Sequence, residues 1–141
     1  FIDLDDYQNI YQVHGHLVGD AYLKRSAEAI LESIRSGDVV SRFGGNQFVV
    51  VLDSSDLSLA ETVARRIIEA VGEVIPEFGA ISVGATKVIP GITQQAVLVN
   101  ADMALYRSKR SPSGGISIVD PANPRIEPDH WPETGMTPQE R

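Results

Sequence analysis

The sequence predicts an α+β domain: a central, mainly antiparallel sheet of about five strands flanked by helices. Three observations lead there. Short β-branched runs alternate with longer segments whose apolar residues recur at helical spacing. Two of the short runs are joined by a glycine-led turn and read as a hairpin, which makes an antiparallel pair. The order strand, helix, hairpin, helix, strand, helix, strand also departs from the strict alternation of a doubly wound parallel fold.

The elements follow in order. Phe1-Ile2-Asp3-Leu4 reads as a strand, and Asp5 to Gly15 as a polar, broken stretch. From about Leu17 to Ile34, Leu23, Ala27, Ile30 and Ile34 mark one helical face, with Gly37 placed to close the helix. Val39 to Phe43 and Phe48 to Leu52 form the hairpin around Gly44-Gly45-Asn46-Gln47. The second run is apolar throughout, which predicts a central strand buried on both faces. Asp56 or Ser58 caps a helix reaching about Val74, with Ala60, Val63, Ala64, Ile67, Ile68 and Val71 as its core stripe. Ala80 to Ile89 is a strand closed by Pro90-Gly91. A helix over about Thr93 to Arg110 ends on Arg107, Lys109 and Arg110, which complement its dipole. Ile116 to Val119 is a short last strand. Residues 1–119 are expected to form one domain. Residues 120–141, which hold five of the eight prolines, are expected to be a tail or linker in which Trp131 is the one candidate for docking.

The totals exclude some functions. The chain has 141 residues, one domain's worth, and 43% are hydrophobic, enough for a core. No cysteine is present, so disulfides, thiolate metal sites and cysteine nucleophiles are excluded. The formal net charge of −7 argues against a general nucleic-acid binder. It leaves room for a single nucleotide, whose phosphates a few arginines or a carboxylate-held metal can neutralise. No apolar run approaches the roughly 20 residues of a membrane span. A cytoplasmic location is expected, either alone or as the cytoplasmic part of a larger membrane-attached sensor.

Four segments carry the chemistry. They are Phe1-Ile2-Asp3-Leu4-Asp5-Asp6-Tyr7-Gln8, Gly15-His16-Leu17-Val18-Gly19-Asp20, Arg42-Phe43-Gly44-Gly45-Asn46-Gln47-Phe48, and Ala101-Asp102-Met103-Ala104-Leu105-Tyr106-Arg107-Ser108-Lys109. Together with the Ser82-Val83-Gly84-Ala85 strand, they resemble, in register, the GGDEF family of diguanylate cyclase domains. The resemblance implies a nucleotidyl-cyclase-like palm. It also implies a chemistry in which two GTP molecules, one on each half of a homodimer, condense to cyclic di-GMP with Mg²⁺ as cofactor.

Carried over by the resemblance, Asp3 is the first metal aspartate and Leu4 the position whose carbonyl faces the metal. Gly44 and Gly45 are the phosphate-facing glycines of the active-site turn, Asp20 reads the guanine edge, and Lys109 binds phosphate. Several positions depart from the pattern. Asn46 stands for an acidic metal ligand and Gln47 for a glutamate. Tyr11 stands for an asparagine that reads guanine, and Gln8 for a lysine. The arginine usual shortly after Lys109 is replaced by the Pro112-Ser113 region. Two negative charges are thus gone from the metal's surroundings, so Mg²⁺–GTP is expected to bind weakly, with turnover absent or very slow. The family's helix before the first strand, with its Asp-x-Leu-Thr-Gly-Leu-type lead, is not in the sequence. A fragment is therefore expected, with part of the sheet uncovered.

Arg35-Ser36-Gly37-Asp38, separated from Gly44 by Val39 to Phe43, matches the family's inhibitory site for cyclic di-GMP. Arginine can grip a guanine O6/N7 edge, and aspartate can accept from guanine N–H groups. The plain alternative is a helix-end cation paired with its neighbour. Asp3, Asp5 and Asp6 also admit a plain reading, as a solvated acidic cluster. His14 and His16 are read as structural, and Tyr22 and Tyr106 as core or rim residues. Three functions remain open. One is a non-catalytic regulatory domain binding cyclic di-GMP at Arg35 and Asp38. The others are an active cyclase with an unusual turn, and a dimerisation module that binds no nucleotide. Family members usually work beside a sensor or effector domain.

Overall fold

The computed structural model describes residues 1–74, 76–78, 80–111 and 115–123. Its elements are β1 (Ile2–Leu4), α1 (Tyr7–His14), α2 (His16–Glu32), β2 (Val39–Gly44), β3 (Gln47–Val51), α3 (Leu57–Val74), β4 (Ile81–Thr86), α4 (Gln94–Arg110) and β5 (Gly115–Val119). The strands form one five-stranded sheet in the order β2-β3-β1-β4-β5. Every pairing is antiparallel except β4 with β5. The α+β reading therefore holds.

Three local expectations are corrected. The stretch read as broken contains α1. Its exposed Gln8, Asn9 and Gln12 hide the signal, but Tyr7 and Ile10, three apart, are buried on one face. Strand β3 is interior, between the edge strand β2 and the middle strand β1, whose Ile2, Asp3 and Leu4 are all buried. It is not buried on both faces, however, because Phe48 is 3% exposed while Val51 is 59% exposed. Gly37, finally, does not close α2. Ser33 does, with its hydroxyl donating to the Ala29 carbonyl (2.7 Å), while Gly37 lies in the following turn.

The register explains the two faces. Paired residues point the same way, and successive ones alternate. Ile2 pairs with Phe48 and Val83, and Leu4 with Ile81. These side chains share a core with Tyr22 and Ile30 of α2 and with Val63, Ile67 and Val71 of α3. Burying each large apolar side chain contributes roughly 1.5–3 kcal/mol. Asp3 pairs with Gln47 and Ser82, and all three point to the other face, which α4 covers. Gly84 is what lets α4 settle there: a Cβ would lie 2.1 Å from the Leu105 nitrogen and 2.6 Å from the Ala101 oxygen. The Ser-Val-Gly-Ala strand and the Ala-Asp-Met-Ala-Leu-Tyr helix are thus two halves of one contact. Beside α4, Val39, Phe43 and Val51 are left exposed on this face.

The caps follow the sequence. The Asp56 carboxylate accepts from the Ser58 N–H (2.9 Å) at the start of α3, and the Thr93 hydroxyl accepts from the Ala96 N–H (3.1 Å) at the start of α4. Of the expected tail, residues 120–123 are described. Asp120 is tied to Lys87 (3.3 Å) and accepts from the Ala122 N–H (2.9 Å). Trp131 lies outside the described residues.

Candidate active site

Asp3 sits in the middle strand, 1% exposed, under the C-terminal end of α4. Its carboxylate is filled by protein donors. Asn46 Nδ2 donates to Oδ1. Gln47 Nε2 donates to Oδ2 at 3.3 Å, and Lys109 Nζ reaches the same oxygen at 2.6 Å. Asn46 Nδ2 also donates to the Leu4 carbonyl at 2.8 Å, while the Leu4 N–H donates to the Asn46 carbonyl at 3.1 Å. Both neighbours of that amide are acceptors, so its nitrogen must face them.

The turn that delivers Asn46 needs its glycines, since Gly44 has φ 150 and Gly45 φ 30. Arg42 braces it, donating to the Gly45 carbonyl from Nε (3.1 Å) and Nη2 (2.7 Å). Next to the pocket, Asp5 accepts from the Ser82 hydroxyl (2.9 Å). Burial pushes the Asp5 carboxyl above its ordinary range, against the pull of Ser82 and Lys109.

Mg²⁺ is a hard ion that takes several oxygens in a near-octahedral shell. Here the two oxygens that would face it, on Asp3 and Leu4, both accept from one amide nitrogen. The remaining charge of Asp3 is balanced by Lys109. Among the described residues, no cluster of three or more acidic or histidine side chains is placed to hold a metal. The residues present do not fit a divalent cation.

Of the two positions that the resemblance assigns to the guanine, Asp20 is kept and Tyr11 departs. Asp20 is exposed on α2 and borders a groove with Leu23, Val40, Arg42 and Phe48. Tyr11 crosses from α1 onto α2. Its hydroxyl is 2.7 Å from His16 Nδ1, the two ring centroids are 4.3 Å apart, and its edge lies where a Gly19 Cβ would be. Gly19 is thus small because Tyr11 covers it. Sequence reasoning passed over Tyr7, a buried residue whose hydroxyl is raised by burial and then by the Asp20 carboxylate.

Arg35 and Asp38 come together at the opposite end of the β2–β3 hairpin. The Asp38 carboxylate accepts from the Arg35 N–H (3.0 Å) and the Asp53 N–H (2.9 Å), and these bonds hold it below the usual carboxylate range. Its side chain is 1% exposed, whereas that of Arg35, with Nε 3.8 Å away, is 59% exposed. Arg66 of α3 adds a second attraction to Asp38 and was not singled out from the sequence. Its signal is visible only once α3 is placed beside the turn.

The fold is a nucleotidyl-cyclase-like palm. The family model described as "Diguanylate cyclase, GGDEF domain" matches residues 1–114. The chain belongs to the GGDEF family, the diguanylate cyclase domains of cyclic di-GMP signalling. It is 35% identical over 129 residues to the probable diguanylate cyclase DgcE of Escherichia coli, covering 86% of this chain and 12% of that protein. It is 30% identical to diguanylate cyclase A of Treponema denticola, over 83% of this chain and 33% of the relative. The chain thus spans a third or less of these relatives' length. Among solved structures, the GGDEF domain of TpbB (YfiN) from Pseudomonas aeruginosa matches with a TM-score of 0.72 at 29% identity, over 83% of this chain and 73% of that one. The diguanylate cyclase SiaD from the same organism, solved with its activator SiaC, matches with a TM-score of 0.74 at 30% identity, over 84% and 47%. No helix among the described residues is long and apolar enough to cross a membrane.

Proposed function

We propose that this chain is a catalytically inactive, regulatory GGDEF domain that binds cyclic di-GMP through Arg35, with Asp38 holding the turn. One observation carries the inactive half: the carboxylate of Asp3, at the first metal position, is fully engaged by Asn46, Gln47 and Lys109. Condensing two GTP molecules needs stabilisation of the charge that builds on the transferring phosphate, and such electrostatic stabilisation usually supplies most of the rate enhancement. This pocket uses its carboxylate internally and draws its lysine away from any phosphate. The test is incubation of the chain with GTP and Mg²⁺ or Mn²⁺, with chromatographic detection of product. The wild type is expected to make none. Product above background would overturn the reading.

The receptor half is supported by the exposed Arg35 guanidinium, whose backbone is fixed by Asp38, and by Arg66 beside it. Two arginines near one rigid turn suit a ligand with two phosphates and guanine O6/N7 edges. Its test is titration with cyclic di-GMP against Arg35→Ala. A homodimer and a sensor or effector domain on this or another chain are further parts of the proposal.

A further inference from the structure

The donor set around Asp3 does more than fail to hold a metal. We propose that Asn46 is a resident substitute for the divalent cation, supplying the hydrogen bonds that complete the pocket without any metal while Lys109 supplies the positive charge. The inference rests on reading this pocket as the remnant of the catalytic centre. A primary amide carries two N–H donors. Asn46 aims its amide nitrogen at the Asp3 carboxylate and the Leu4 carbonyl, the two oxygens a cation would otherwise draw together. The return bond from the Leu4 N–H to the Asn46 carbonyl clamps the turn to β1 from the other side. Lys109 then cancels the one negative charge of Asp3.

An aspartate at position 46 would remove both N–H donors and set a second carboxylate against the buried first. Like charges in one site oppose each other's ionisation, and a cation relieves them. The identity of residue 46 therefore decides whether the hairpin tip needs a metal. With asparagine, the tip stays fixed on β1 at any cation concentration. It cannot report on Mg²⁺ or on a nucleotide that brings Mg²⁺, and regulation is left to the Arg35 end of the hairpin.

The experiment uses the full chain and Mn²⁺ as probe. Thermal unfolding is followed in EDTA and in about 10 mM Mn²⁺, and Mn²⁺ binding is titrated by loss of the free-ion paramagnetic resonance signal. The wild type is expected to melt within about 1 °C under both conditions and to leave the signal undiminished. Asn46→Asp is expected to melt lower in EDTA and to regain about 5 °C or more with Mn²⁺. Saturable binding to the wild type that disappears in Asp3→Asn would overturn the proposal, as would an Asn46→Asp protein that folds and ignores Mn²⁺. If Asn46→Asp does not fold, the wild-type titration alone decides. Mn²⁺ binding without turnover would sink this proposal and leave the inactive reading standing, whereas product formed from GTP would sink that reading itself.

Discussion

Replacing Asn46 by alanine removes the bond to the Asp3 carboxylate and the bond to the Leu4 carbonyl while leaving the backbone pairing in place. A hydrogen bond to a charged group contributes about 1.5–3 kcal/mol and a neutral one about 0.5–1.5 kcal/mol. Gln47 and Lys109 remain on Asp3, which softens the loss, so Asn46→Ala should cost about 2–4 kcal/mol. For a chain of this size that is a fall of roughly 8–16 °C in melting temperature. The assay is urea unfolding followed by far-ultraviolet circular dichroism in EDTA, where no cation can compensate. Gln47→Ala, which loses one longer bond, serves as the control and should cost less. A loss below about 0.5 kcal/mol for Asn46→Ala, the scale of an ordinary surface change, would refute the reasoning.

Two other perturbations test the frame. Gly84→Ala drives a Cβ into the backbone of α4 at Leu105 and Ala101, which cannot turn aside as a side chain could. Overpacking costs typically about 1–3 kcal/mol, and this case should lie at or above the top of that range by chemical denaturation. Asp38, with its folded pKa lowered by the N–H groups of Asp53 and Arg35, adds stability that is present above its ordinary pKa of 3.8. That stability is lost as pH falls through the lower folded value. Asp38→Asn should flatten this acid limb of the stability–pH curve, and an unchanged limb would contradict the bonding of the turn.

The long amphipathic elements were legible because their core positions repeat at helical spacing: Val63, Ala64, Ile67 and Val71 lie where the stripe of α3 put them. Helix α1 was not, since eight residues with Tyr7 and Ile10 as their buried pair give a short signal among polar neighbours. The place of the hairpin at the sheet edge depends on β1 pairing with both β3 and β4, a long-range choice that no local pattern carries. The site residues Asp3, Asn46, Gln47 and Lys109 were legible as a set through the family resemblance. What the sequence did not carry was their bonding to one another. That depends on Lys109 arriving from the far end of the chain and on the amide of Asn46 meeting two acceptors. Arg66 and Tyr7 were missed for the same reason, because their roles arise only from neighbours on other elements.

The central claim is most directly tested by isothermal titration of the purified chain with cyclic di-GMP, run beside Arg35→Ala. The account predicts binding at micromolar concentration or tighter, weakened at least about tenfold in the variant, the scale of one lost charge-assisted contact. No heat at high ligand concentration, or equal binding by both proteins, would contradict it.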